Sequence, residues 1–208
     1  MRARISSRAS VPVGLVVGVL LLAHPARAEG TAGGSWPIEV GAMADSIGFA
    51  PGIPHPLLSV GTEIPWDNEG VFRLVQTLQL DYRLQPQFLH GPGVNTRLIA
   101  RFMANVGFFG EVGLGVGYFM GFFGPDTLAL DAATGAYGPG PNAPRSIFKA
   151  SLGLGLGMDF SVRWNVPLRV SAGYDETLLF NFAPEAGFPI VPAPAYGLRL
   201  AWFFGGAR

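Results

Sequence analysis

The stretch Phe72-Arg73-Leu74-Val75-Gln76-Thr77-Leu78-Gln79-Leu80-Asp81-Tyr82-Arg83-Leu84 alternates from end to end. Its even positions carry Phe72, Leu74, Gln76, Leu78, Leu80, Tyr82 and Leu84, and its odd positions Arg73, Val75, Thr77, Gln79, Asp81 and Arg83. Successive side chains of a strand point to opposite faces, so this pattern predicts a strand with one greasy and one polar face. It exceeds the usual globular strand of about 5–6 residues. It is long enough for a tilted membrane-spanning strand, which needs about 9–11.

The same rule recurs downstream. Leu98, Ala100, Phe102, Ala104 and Val106 oppose Arg97, Ile99, Arg101, Met103 and Asn105. Val112, Leu114, Val116, Tyr118, Met120 and Phe122 oppose Glu111, Gly113, Gly115, Gly117, Phe119 and Gly121. Phe148 to Phe160 sets five aliphatic residues between its phenylalanines against Lys149, Ser151, Gly153, Gly155, Gly157 and Asp159. Leu168, Val170, Ala172 and Tyr174 oppose Arg169, Ser171, Gly173 and Asp175, and Tyr196 to Phe204 repeats the alternation around Arg199. Two less regular segments, Pro37–Phe49 and His55–Ile64, precede these six and bring the expected total to eight. Eight is the smallest even number found in single-chain outer-membrane barrels. Closure also removes strand edges, which lipid does not tolerate.

A soluble β-sandwich would alternate too. It would leave the second faces in water, with little need for the glycines that stand there. The connections also argue for a barrel. Pro65–Gly70, Gly107–Gly110 and Ser161–Pro167 predict short turns on one rim. On the other, Phe88–Gly93, Gly124–Arg145 and Asn181–Pro194 predict longer loops, with a short one near Pro51–Pro54. Short turns on one side and long loops on the other is the outer-membrane arrangement. All four tryptophans, Trp36, Trp66, Trp164 and Trp202, fall on the short-turn rim. Phe49, Tyr82, Tyr118, Phe122, Phe148, Phe180 and Tyr196 fall on the other, which makes two aromatic girdles.

The first 28 residues predict a cleaved address. Arg2, Arg4 and Arg8 precede the apolar run Val11–Leu22, and Ala26-Arg27-Ala28 offers a small-residue cut site. That is the layout of a secretory signal peptide, too short in its apolar part for a helical span. Residues 29–35 then form a short linker, and residues 36–208 the barrel domain. Of the 14 basic residues, Arg2, Arg4, Arg8 and Arg27 lie in the leader, which leaves the remainder four short of the 14 acids. No basic stripe points to nucleic acid. The absence of cysteine excludes disulfides and thiolate chemistry. No cofactor or metal motif is present.

The signal peptide, the alternation and the closing run Leu198-Arg199-Leu200-Ala201-Trp202-Phe203-Phe204 resemble the small outer-membrane barrels of Gram-negative bacteria, the broad group of OmpX-like and OmpW-like proteins. The resemblance covers Trp36 to Phe204. Such barrels usually finish on an aromatic residue read by the outer-membrane assembly machinery; here Gly205-Gly206-Ala207-Arg208 follow it. The resemblance implies an outer-membrane location, with lipids, lipopolysaccharide and that machinery as partners; it does not specify an oligomeric state.

The polar faces gather Arg73, Asp81, Arg83, Arg97, Arg101, Glu111, Lys149, Asp159, Arg169, Asp175 and Arg199 into the expected lumen. Charges in so narrow an interior must pair or meet water. A network that closes the lumen is the first expectation, and the role is then structural or interactive. An excess of three positive charges leaves open a channel or binding barrel for a small polar or anionic solute. The glycine rows Gly113, Gly115, Gly117 and Gly153, Gly155, Gly157 would give room to arginines from the opposite wall, bend the sheet, or form a hollow. A lipid A-modifying enzyme would need a Ser–His–acid arrangement. His55 and His90 lie near the long-loop rim without a serine and acid at matching spacing, so no catalytic residue is expected.

Overall fold

A computed structural model of the chain describes residues 36–46, 54–67, 70–85, 89–124, 128–130, 137–139, 144–183 and 188–204. The expected signal peptide and linker lie outside these residues. Eight strands form a closed antiparallel barrel: β1 (Trp36–Asp45), β2 (His55–Asp67), β3 (Phe72–Arg83), β4 (Leu89–Met103), β5 (Phe108–Phe123), β8 (Arg145–Asp159), β9 (Leu168–Ala183) and β10 (Phe188–Phe204). Each pairs with the next around the ring, and β1 closes on β10 from Trp36↔Phe204 to Asp45↔Ala195. The eight strands expected from alternation are the eight of the barrel.

The facing is also as expected. Leu80, Leu114, Leu154 and Leu198 are more than half exposed on the outer face, while Arg97, Arg101, Lys149 and Arg199 are buried on the inner one. Water would make that inverted arrangement very unfavourable, because a contiguous apolar surface of this extent marks contact with another apolar phase. Among the described strand residues with outward side chains, Glu176 is the one charged group, and the Tyr174 hydroxyl donates to it at 2.6 Å. Trp66, Trp164 and Trp202 stand about half exposed on the short-turn rim.

The strand ends differ from the expectation. Leu89–Gly93 belongs to β4 instead of a loop, and β9 and β10 extend through most of Asn181–Pro194. Proline and glycine there read as turn residues, but their neighbours pair: Leu89↔Phe123 and Val191↔Leu179. Conversely β1 ends at Asp45, with the expected Phe49 and most of the Pro51–Pro54 turn outside the described residues, and Ala104 to Gly107 forms the turn in which Val106 is exposed. The long connection after β5 is not featureless. It holds a small two-stranded sheet of β6 (Leu128–Leu130) and β7 (Tyr137–Pro139). The turn after β8 contains a single helical turn, α1 (Phe160–Trp164). Asp159 caps it by accepting from Ser161 N at 3.0 Å, and Asn165, in the left-handed region at φ 56°, stops it.

Candidate functional site: the charged interior

An eight-stranded barrel has an interior only wide enough for side chains or one small ligand. Here the inner face is stacked in layers. Next to the short-turn rim lie Val75, Ile99, Met103, Phe109, Ala201 and Phe203, all buried. The Arg101 guanidinium sits 5.1 Å from the Phe109 ring centroid, and that of Arg169 sits 5.3 Å from Phe203. Cations over aromatic faces are favourable when desolvated, so this layer carries the next one.

The middle layer is one chain of charge-assisted contacts. Arg97 on β4 grips Asp175 on β9 through both carboxylate oxygens, at 2.9 and 2.6 Å. Asp175 also accepts from Arg199 on β10 at 2.7 Å, and Arg199 reaches Glu111 on β5 at 3.3 Å. Glu111 accepts from Arg101 at 2.9 Å, and Arg101 donates to Glu63 on β2 at 2.6 Å. Glu63 accepts from Arg169 on β9 at 2.5 Å, Arg169 lies 3.6 Å from Glu39 on β1, and Glu39 accepts from Gln79 on β3 at 2.8 Å. The chain therefore draws on every barrel strand except β8. Two further pairs lie towards the long-loop rim: Lys149 on β8 with Asp81 at 2.5 Å, and Arg83 with Asp45 at 2.7 Å.

Above them comes an apolar layer of Leu89, Phe119, Ile147, Leu179, Phe182, Val191 and Ala193. The Arg83 guanidinium lies 5.5 Å from the Phe119 ring. Between the ion pairs and this layer there is a void of about 40 Å³, lined by Ser59, Gln79, Asp81, Lys149, Asp175 and Arg199 among others. A space of that size holds water, not a solute of any bulk.

Most of the charged residues singled out in the sequence thus meet, but three acids of the network were not among them. Glu39, Asp45 and Glu63 sit on β1 and β2, the strands with the weaker pattern. Part of the alternation was nonetheless there to be read: Ile38, Val40, Leu58 and Val60 face out, Glu39 stands between the first two, and Glu63 shares its face with Ser59 and Gly61. With these three acids, the interior residues expected from sequence no longer carry an excess of three cations, and the argument for an anion-favouring cavity loses its basis. Asp159 is buried but serves as the cap of α1, through Ser161 N and Oγ. Arg73 lies half-buried on the inner face near the short-turn rim, opposite Arg101 in the register.

The glycine rows do face inward. Gly113 and Gly153 are direct partners across β5 and β8. Their space is used by neighbours instead of by arginines from the opposite wall. Arg97, one strand away from β5, lies across them on its way to Asp175; a methyl group on Gly153 would fall on its guanidinium. Glu111 fills the space at Gly155, and Phe109 that at Gly157. The histidines do not converge. His55 starts β2 opposite Asp45, and His90 stacks on Phe122 at 5.8 Å.

No protein-family model matches the sequence, and no curated protein matches it either. Solved structures do. The neisserial surface protein A, NspA, superposes over 82% of this chain and 99% of its own at TM-score 0.55 and 8% identity. The N-terminal barrel of OprF from Pseudomonas aeruginosa does so over 80% and 97%, at 0.47 and 14%. Ail, the attachment invasion locus protein of Yersinia pestis, does so over 82% and 99%, at 0.42 and 13%. At such identities the likeness to NspA concerns the fold. A closed antiparallel barrel with an apolar exterior is the architecture of bacterial outer-membrane proteins, and this chain has the fold of a small outer-membrane β-barrel.

Proposed function

We propose that the protein is a non-enzymatic structural or interaction barrel of the bacterial outer membrane, whose lumen is closed and does not conduct. The observation that carries this reading is the unbroken run of contacts from Arg97 through Asp175, Arg199, Glu111, Arg101, Glu63 and Arg169 to Glu39. It crosses the lumen between two apolar layers. A solute would have to break several buried pairs, each of which leaves a charge uncompensated in a low-dielectric interior. Long strands towards the loop rim carry the apolar layer outward and leave the loops to meet lipopolysaccharide or other partners, while assembly proceeds through the outer-membrane machinery. In planar lipid bilayers the purified protein should give no steady current. A reproducible anion-selective conductance that falls when Arg101 or Arg169 is replaced by Ala would replace this reading with that of a channel. Recovery of the protein as a soluble periplasmic monomer would remove the membrane location itself.

A further inference from the structure

The outer wall carries a depression that closure of the lumen does not explain. Phe102, Gly110, Leu156, Ala172 and Leu198 are successive register partners across β4, β5, β8, β9 and β10, so they form one row around the barrel. Large and small residues alternate along it. Leu156, 73% exposed, stands as a ridge between floors at Gly110 and Ala172. Phe108, Met158, Val170 and Phe160 border the row on the short-turn side, and the resulting groove is apolar and measures about 730 Å³.

A cation stands two ring contacts beyond the groove's border. Phe160 lies at its border and its ring is 5.3 Å from that of Trp164. The Arg163 guanidinium lies 5.6 Å from the same Trp164 ring. Arg163 is exposed, while the nearest acid in sequence, Asp159, is buried and engaged with Ser161. An apolar slot in the bilayer-facing wall, with an exposed guanidinium beyond the aromatic pair at its short-turn end, has the polarity of an amphiphile with an anionic head. Guanidinium groups pair well with phosphate.

We propose that this groove binds a phospholipid of the leaflet at the short-turn rim, with one acyl chain beside Leu156 and the phosphate at Arg163. The proposal rests on the outer-membrane reading above, in which the loops meet lipopolysaccharide; the short turns then face the periplasm, on the phospholipid side of the membrane. A second copy of the chain fits less well. The outward acid of the described wall, Glu176, lies beyond Tyr174 towards the other rim and could not meet Arg163 of a copy oriented the same way.

Native mass spectrometry of protein purified from outer membranes, in mild detergent with dioleoyl phosphatidylglycerol added, tests this. The wild type should retain one lipid. Gly110→Leu fills the groove; a Cβ there meets only the Leu156 Cδ2 atom at 3.6 Å, an ordinary contact, so the barrel should still form. Retention should fall several-fold, because the filled slot no longer offers the acyl chain its van der Waals packing, the attraction that remains where both alternatives are apolar. If gel migration without heating shows that Gly110→Leu fails to fold, Ala172→Leu carries the same test. Arg163→Gln should weaken phosphatidylglycerol but not dioleoylglycerol, which lacks the phosphate. Equal retention by wild type and the groove-filling variant overturns the proposal. So does loss in Arg163→Gln alone, which would mean a headgroup contact without the groove, or a dimer that disappears on filling the groove. A conducting barrel that still retains the lipid would sink the closed-lumen reading and leave this one standing.

Discussion

The two faces of β8 are built under opposite rules. Outward, Leu152, Leu154 and Leu156 are 47, 54 and 73% exposed and touch little of the protein. Inward, Gly153, Gly155 and Gly157 are places where a side chain is excluded because Arg97, Glu111 and Phe109 already occupy the space. The outer face is selected for chemistry: any apolar side chain satisfies hydrocarbon. The inner face is selected for geometry and pairing, since each side chain there completes another. Substitutions should therefore be sorted by kind of change outside and by partner inside.

Breaking a shared partner inside should have the largest effect. Glu63 accepts from both Arg101 and Arg169. Glu63→Ala leaves two buried guanidinium groups short of a carboxylate, and loss of one partner of a buried pair costs about 3–5 kcal/mol. Reversible unfolding in urea, followed by tryptophan fluorescence in lipid vesicles, should show it. A midpoint unchanged from wild type would mean the interior is hydrated and the pairs are dispensable. Leu154→Arg comes next. It changes the kind of residue on the outer face near the middle of the band between Phe148 and Trp164, where arginine costs about 2–4 kcal/mol. Assembly into membranes should fall, while Leu154→Val should pass unnoticed.

Gly155→Ala should be milder. A Cβ there meets Glu111 at 2.9 Å, tight enough that the carboxylate must shift. Overpacking of this sort costs about 1–3 kcal/mol. If Leu154→Arg and Gly155→Ala were tolerated equally, the facing of β8 would be wrong.

The same contrast explains what could be read in the sequence. Outer-face chemistry is written residue by residue, so the alternation in Phe72–Leu84 and Phe148–Phe160 marks strands and their facing directly. Inner-face pairing is not local. That Arg97 would cross Gly153 to reach Asp175 depends on a register spanning four strands. Nor was Glu63 legible as the hub of two arginines, because β2 sets Leu57 and Leu58 side by side between Pro56 and Pro65, which blurs its period. The apolar layer of Leu89, Phe119, Ile147, Leu179 and Val191 was missed for another reason. Pro92, Pro189, Pro192 and Pro194, with Gly91 and Gly93, read as loop, yet β4 and β10 continue through them. Proline can stand in a strand where its missing N–H faces no partner. On β10 the stretch above Ala195 pairs with β9 but lies beyond the register with β1, which ends at Asp45↔Ala195.

The smallest effect should come from removing an inner pair whole. Lys149 and Asp81 meet at 2.5 Å, with both side chains 10% exposed, and they lie outside the continuous chain of contacts. Lys149→Met alone leaves the Asp81 carboxylate without its ammonium partner, and Asp81→Leu alone leaves the ammonium stranded; each single variant should be clearly destabilised. The double variant takes both charges out together, and the extra volume of leucine over aspartate lies beside the void that Asp81, Lys149 and Phe119 line. Replacing a buried pair by apolar residues is often neutral or better, so the double variant should unfold within about 1 kcal/mol of wild type. The singles and the double together form a cycle whose coupling energy isolates the pair from its surroundings. Strong coupling with a near-neutral double variant would mean that the interior requires matched neighbours, not charge as such. A double variant as unstable as the worse single would mean that Lys149 or Asp81 has an essential partner elsewhere, with Arg83 the first to test because it lies across the same void.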